Sequence, residues 1–250
     1  IKKCRESVFS NIKDWEKSTK RLNYLVDLEN PYVTLDNNYI ESVWWSLKEL
    51  YNKEFLYEGF KVVPYCPRCE TTLSSHEVSQ GYKDVKEDAI YVAFKIEGKN
   101  EYILAWTTTP WTLPGNVALA VGPNIDYVKV KLPDGDKLII GKERLEVLGK
   151  DYKVIEEIKG KKLEGLKYEP IFNIKELKNN NSHKIILADF VTTTDGTGIV
   201  HTAGMYGEED YNICKKYNLP LIHTVNKEGK FNNLVPEFEG KFVKGANKDI

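Results

Sequence analysis

The sequence predicts an α+β fold, a β-rich body preceded by a helical margin, on three observations. The first sixty residues carry apolar side chains at helical spacing. From Val62 onward short apolar or alternating runs, parted by turn residues, take over. A helix start signal returns only late, at Gly207-Glu208-Glu209. With 250 residues, 41% of them hydrophobic, the chain can bury a sizeable core as one large domain or one domain with an appendage.

In the margin, Val8, Phe9, Ile12 and Trp15 share one helical face, and Ile40, Val43, Trp44, Leu47 and Leu50 share another, with Asn37 or Asn38 placed to cap the second helix. A boundary near residues 57–63 gives 1–60 as a flanking helical segment and 61–250 as the second domain. Strands are expected at 89–96, 101–106, 117–121 and 127–132, and again at 137–140 after the hairpin turn Pro133-Asp134-Gly135. Further on come a strand at 184–188, a short strand delivering His201, a helix opening near Gly207, a strand at 220–225 and a hairpin around Lys227-Glu228-Gly229. The polar run 178–182 is expected as a loop tip.

Thirty-six Lys and Arg against 37 Asp and Glu leave a net charge of −1, which lacks the basic footprint of an autonomous nucleic-acid binder; any such contact should be local. No apolar run approaches the roughly 18 residues of a membrane helix, and the opening IKKCRESVFSN has no signal-peptide core. A start at Ile1 is read as the edge of a piece cut from a longer protein. Of the four cysteines, Cys66 and Cys69 form a C-x-x-C pair while Cys4 and Cys214 stand alone, so a disulfide scaffold is not expected and a cytoplasmic, reducing setting is. The pair has zinc-knuckle spacing but supplies half of the four ligands a closed site needs; His76 is a conceivable third.

Two segments carry chemistry. In WTTTPWTLPGN, residues 106–116, Pro110 and Pro114 fix φ and withhold donors, so a rigid extended loop is expected, with Thr107, Thr108 and Thr109 forming a binding wall. A Thr-rich strand entering a turn is the plainer alternative. In DGTGIVHTAGMYGEEDY, residues 195–211, Gly196 and Gly198 permit tight turns before His201, and Asp210 follows in a first helical turn whose dipole favours acids. Either segment alone is compatible with ordinary packing; the combination points to a site.

Together the two segments resemble the editing domain of the class I aminoacyl-tRNA synthetases, of the valyl/leucyl/isoleucyl type and closest to the isoleucyl branch. The likeness covers nearly the whole chain: YVTLDNNYIESVWWSLKELY looks like the approach from the Rossmann catalytic domain, and VVPYCPRCETTLSSHEVSQGY like the entry into the editing insertion. The valyl and leucyl branches carry an Arg where this chain has Thr109. The wording of the second motif leans towards the archaeal and eukaryotic branch. The resemblance implies a β-barrel-rich domain that hydrolyses valine wrongly esterified to isoleucine tRNA and spares the isoleucyl ester. Its partners would be the acceptor end of that tRNA and the remaining domains of a parent enzyme that ligates isoleucine using ATP. No cofactor is implied for editing, and zinc would need a second Cys pair beyond Ile250. Neither signature of the synthetic active site occurs here, so activation of isoleucine is not expected of this stretch.

Roles follow from the same resemblance. Asp210 would hold the substrate's α-ammonium in a charge-assisted hydrogen bond. Thr107, Thr108 and Thr109 would hold the terminal adenosine and the attacking water, and Trp111, Thr112, Gly198 and Gly207 would line the substrate. His201 would close the side-chain pocket against isoleucine's extra methyl. Direct attack by water is preferred to a covalent Thr ester, since no Ser/His/Asp order is evident. The sequence does not identify the general base: His201 has the chemistry to serve, and the tRNA's own free ribose hydroxyl is the alternative for orienting the water. The family's proline after the His is replaced by Gly204, which should loosen that turn. Two other readings compete: a non-catalytic tRNA-docking or zinc-knuckle module, and valyl-type editing of threonine, which Thr109 disfavours.

Overall fold

Helical periodicity in the first sixty positions becomes three helices in the computed structural model, which describes residues 1–149 and 151–250. These are α1 (Lys2–Ser10), α2 (Ile12–Arg21) and α3 (Asn37–Asn52). The face expected to run unbroken from Val8 to Trp15 is interrupted at Asn11, which leaves helical geometry at φ −102°, ψ 3°. Asp36, rather than Asn37 or Asn38, is the N-cap of α3, and its side chain makes no capping bond. Trp15, Trp44 and Trp45 stay exposed. The chain divides into two units, Ile1–Phe60 and Lys61–Ile250.

The second unit begins with the hairpin β1 (Tyr65–Cys66) and β2 (Thr71–Thr72), followed by α4 (Ser75–Gln80), opened by a reciprocal Ser74–Glu77 capping box. Then come β3 (Ile90–Lys95), β4 (Glu101–Thr107), β5 (Ala118–Val121), β6 (Asp126–Lys131), β7 (Lys137–Gly141), β8 (Lys153–Lys159), β9 (Lys184–Leu187), β10 (Ile199–Thr202), α5 (Glu208–Tyr217) and α6 (Val243–Ala246). The strand order is β8-β6-β7-β4-β10-β5-β9, with β3 also paired to β4.

Two bridges turn part of this sheet into a ring. Tyr168 pairs with Ile96 at the end of β3, and Lys167 with Lys184 at the start of β9. Backbone bonds from Glu169 N–H to the Lys95 carbonyl (2.8 Å) and from Tyr168 N–H to the His183 carbonyl (3.1 Å) complete the join. The circuit β3-β4-β10-β5-β9 and back through residues 167–168 is a small barrel; closure covers the edges of β3 and β9, while β8 remains the edge strand of the branch β7-β6-β8. Phe94, Ile96, Ile103, Ala105, Leu119, Tyr168, Ile185 and Ile199 form one buried cluster, joined by Leu113. A second cluster holds Ala118, Ala120, Ile186, Ile213 and Cys214, so β5 is buried on both faces and α5 packs against the sheet.

The strand expected at 220–225 does not form. Only the bridge Val225–Phe231 appears there, because Pro220 has no N–H to give and the Thr224 N–H is taken by the Tyr206 hydroxyl at 2.8 Å. Conversely β8 was not foreseen: KVIEEIK buries only Ile158, so it carries no alternation to read.

One buried residue ties the sheet to the entry of β10. The hydroxyl of Tyr127, fully buried, accepts the Gly122 N–H at 2.9 Å and donates to the Gly198 carbonyl at 2.7 Å. Tyr127→Phe therefore strands a donor and an acceptor, and is expected to lower stability by about 1–3 kcal/mol. A urea midpoint that falls with the m-value unchanged is the expected result, and an unmoved midpoint contradicts it.

Candidate functional site

Strands β4 and β10 run parallel, with Val200 opposite Trp106, so both release their following loops at the same edge of the sheet. From β4 come Thr107, Thr108 and Thr109, and from β10 come His201 and the turn into α5.

The threonine segment is not the extended loop expected. Pro110–Gly115 winds into 3₁₀ helix, with Pro110 at its first positions. There the missing N–H forfeits no bond and the fixed φ suits helical backbone, so Pro110 opens this turn instead of an extended loop. The winding gathers the hydroxyls. Thr107 Oγ1 accepts the Thr109 N–H at 3.0 Å and lies 3.2 Å from Thr109 Oγ1, which lies 3.5 Å from Thr112 Oγ1. Thr108 is exposed and makes no side-chain hydrogen bond among the described residues.

His201 sits behind this cluster, 7% exposed. Asn116 Nδ2 lies 2.8 Å from its Nδ1, and Thr112 Oγ1 lies 3.0 Å from its Nε2. The Asn116 amide is oriented by two other groups: Oδ1 accepts the Tyr168 hydroxyl at 2.6 Å and Nδ2 donates to the Ala118 carbonyl at 3.0 Å. An amide nitrogen can only donate, so Nδ1 accepts and the imidazole proton belongs on Nε2, aimed at Thr112. The Thr112 hydroxyl passes its own proton to the Thr109 carbonyl at 2.8 Å. Burial lowers the imidazole pKa to about 4, so His201 is neutral near pH 7 with both nitrogens engaged.

Asp210 is the third residue of α5, and its Oδ2 accepts the Ala203 N–H at 3.1 Å. Burial raises its pKa to about 6; the Ala203 N–H opposes the rise and the charge of Glu209 adds to it. No Lys or Arg pairs with it among the described residues. Gly207 caps α5, and a Cβ there would stand 3.6 Å from the Asp210 carboxylate. Gly204 is not a loose point: a Cβ at Gly204 would meet Cys214 Sγ and Leu221 Cδ2 at 2.7 Å, and the Tyr206 N–H closes the turn on the Ala203 carbonyl at 3.0 Å.

Trp111 flanks the cluster, its backbone N–H bound to Asn247 Oδ1 at 3.0 Å and its ring edge-on to Tyr206 at 5.0 Å. The Tyr206 hydroxyl is in turn held by Thr224 Oγ1 at 2.7 Å. Gly198 lies elsewhere. At φ +75° it opens β10 at the end away from His201, against Gly141, Thr193 and Tyr127, and the structure does not bring it to the hydroxyl cluster. Asn116, Tyr168 and Tyr206 were not foreseen. Asn116 ends the first motif and could have been singled out there, whereas the other two carry no local signal.

Cys66 and Cys69 share the β1–β2 hairpin. Hydrogen bonds from the Cys69 backbone and thiol and from the Arg68 backbone lower the Cys66 pKa, and Cys69 is raised by its neighbour. Among the described residues no group of three or more His, Cys, Asp or Glu could hold a metal, so the pair does not make a closed zinc site with the residues present, and His76 does not complete it.

Isoleucine–tRNA ligases of Clostridium kluyveri and Clostridium acetobutylicum are 52% and 54% identical to the chain over 250 and 251 residues, all of this chain and 24% of each relative. Isoleucine–tRNA ligase 2 of Bacillus anthracis is 50% identical over 252 residues, again 24% of its length. The chain thus spans about a quarter of the length of these relatives. Among solved structures, the GlLeuRS-CP1 crystal structure is 17% identical with a TM-score of 0.45, covering 52% of this chain and 60% of that one. The P. knowlesi cytosolic leucyl-tRNA synthetase editing domain is 18% identical at a TM-score of 0.40, covering 57% and 69%. The family of tRNA synthetases class I (I, L, M and V) matches residues 1–233. With that match across nearly the whole length, the chain belongs to the class I tRNA synthetases.

Proposed function

We propose that the edge formed by the ends of β4 and β10 is an editing site, where the ester of valine wrongly joined to isoleucine tRNA is hydrolysed and the isoleucyl ester is spared. The observation that carries this reading is Asp210, a partly buried carboxylate without a cationic partner among the described residues, held in the first turn of α5 by the Ala203 N–H just past β10, the strand that runs parallel to the one releasing the threonine cluster. An aminoacyl ester brings an α-ammonium, the charge that such a carboxylate lacks.

The need for the reaction is physical. A single methylene separates the two amino acids and is worth only ~1–3 kcal/mol in a hydrophobic pocket, a limit for which isoleucyl enzymes are the standing example. In the proposed step, water adds to the ester carbonyl carbon and the ribose oxygen leaves. Asp210 anchors the ammonium, the Thr107 and Thr109 hydroxyls orient water and ribose, and Thr108 faces solvent where the adenosine approaches. His201, neutral and engaged at both nitrogens, acts as a wall that limits side-chain size rather than as the base. The free ribose hydroxyl remains to orient the water. These groups suffice without a cofactor; ATP and zinc belong to the longer enzyme, whose other domains and tRNA acceptor end are the proposed partners.

The reading carries a pH dependence. Asp210 must be ionised to hold the ammonium, and its pKa is raised to about 6, so activity is present above that value and lost as pH falls through it. Valine release from charged isoleucine tRNA, corrected for spontaneous hydrolysis, should give kcat/KM rising through about pH 6. A flat profile from pH 5 to 8, or no release above the spontaneous rate, overturns the reading.

A further inference from the structure

A chain of hydrogen bonds runs from the barrel interior to the hydroxyl cluster, and it begins at a residue that touches none of the groups assigned to catalysis. Tyr168 is 3% exposed, and its ring packs edge-on to Phe94 at 5.3 Å. Its hydroxyl donates to Asn116 Oδ1 at 2.6 Å. Both amide protons of Asn116 are then directed, one to the Ala118 carbonyl and one to His201 Nδ1. Rotating the amide by a half turn would aim its oxygen at His201 Nδ1, and the imidazole would have to move its proton from Nε2 to Nδ1. Nε2 would then accept from Thr112, whose hydroxyl would abandon the Thr109 carbonyl.

We infer that Tyr168 is a positioning residue: together with the Ala118 carbonyl it holds the Asn116 amide in the orientation that selects the Nε2–H tautomer of His201, and so sets the orientation of the Thr112 and Thr109 hydrogen bonds at the site edge. Burial keeps the phenol protonated, as a donor must be. The Ala118 carbonyl, which can only accept, favours this orientation of the amide, and the phenol satisfies the Asn116 Oδ1 that it buries. Without the phenol that oxygen is buried beside no donor, and rotation towards a protonated Nδ1 is its nearest remedy. The consequence for substrate choice rests on the editing reading above; the tautomer does not.

The test is a long-range proton–nitrogen correlation spectrum of the 250-residue chain labelled with ¹⁵N-histidine. Its four histidines give few signals, and His201→Gln identifies the one in question. In the unaltered chain His201 is expected as the Nε2–H tautomer from pH 6 to 8; an Nδ1–H pattern there overturns the inference before any variant is made. In Tyr168→Phe the two nitrogen shifts are expected to move towards each other as the Nδ1–H form becomes populated. The variant Phe94→Leu, which loosens the same packing but keeps the hydroxyl, is expected to leave them in place. An unmoved tautomer in Tyr168→Phe, or an equal movement in Phe94→Leu, overturns it. Valyl-ester release, measured in parallel, is expected to fall several-fold in Tyr168→Phe only. If release is absent even from the unaltered chain while the tautomer responds as stated, the editing reading fails and the positioning role stands.

Discussion

Asp210→Asn is expected to reduce hydrolysis of the valyl ester by about 10²-fold while leaving the chain at least as stable at pH 7. The loss follows from charge. A hydrogen bond to an ionised partner contributes about 1.5–3 kcal/mol, and the neutral amide forfeits it against an α-ammonium. The retained stability follows from the same burial that raises the carboxyl to about 6: a charge held there is unfavourable, and Asn Oδ1 can still accept the Ala203 N–H. Single-turnover release and a denaturant titration, run on the same preparation, separate the two effects. Parallel falls in activity and stability would make Asp210 a structural residue.

His201→Ala is expected to act on discrimination. The imidazole fills the space behind Thr112 and is 7% exposed, so truncation leaves room that no neighbour is free to fill. Isoleucyl-ester release should rise by roughly 10–100-fold, the span that one methylene commands when a pocket wall is removed, with a smaller fall in valyl-ester release. Stability should drop by about 1–3 kcal/mol, because Asn116 loses the acceptor for one amide proton. Were His201 the general base instead, release of both esters would collapse together.

How much of this was visible in the sequence depended on whether the signal was local. The strands of the barrel announced themselves by apolar runs between turns, and α5 by its glycine and acidic first turn, because each property belongs to neighbouring residues. Ring closure did not, since two bridges at Lys167 and Tyr168 carry no periodic pattern. The prolines of the threonine segment read as excluding helix and strand alike, yet Trp106 and Thr107 end β4, as the plainer reading of a strand entering a turn had it, and the same fixed φ admits the 3₁₀ turn that gathers Thr107, Thr109 and Thr112. Asp210 and His201 stand out through the two motifs taken together and the family resemblance they carry. Their different electrostatics do not, because burial is not written in local sequence: Asn116, which bonds the His201 ring, is 85 residues from it, and Tyr168, which bonds Asn116, is 52 residues from Asn116. Gly198 shows the opposite error, a glycine read as part of the site whose left-handed backbone serves the entry of β10.

The most direct test of the editing assignment is release of labelled amino acid from isoleucine tRNA charged with valine or with isoleucine, by the chain and by its Asp210→Asn variant. The account predicts fast release of valine alone, lost in the variant. Release of both amino acids at the spontaneous rate in all four reactions would contradict it and favour a docking module.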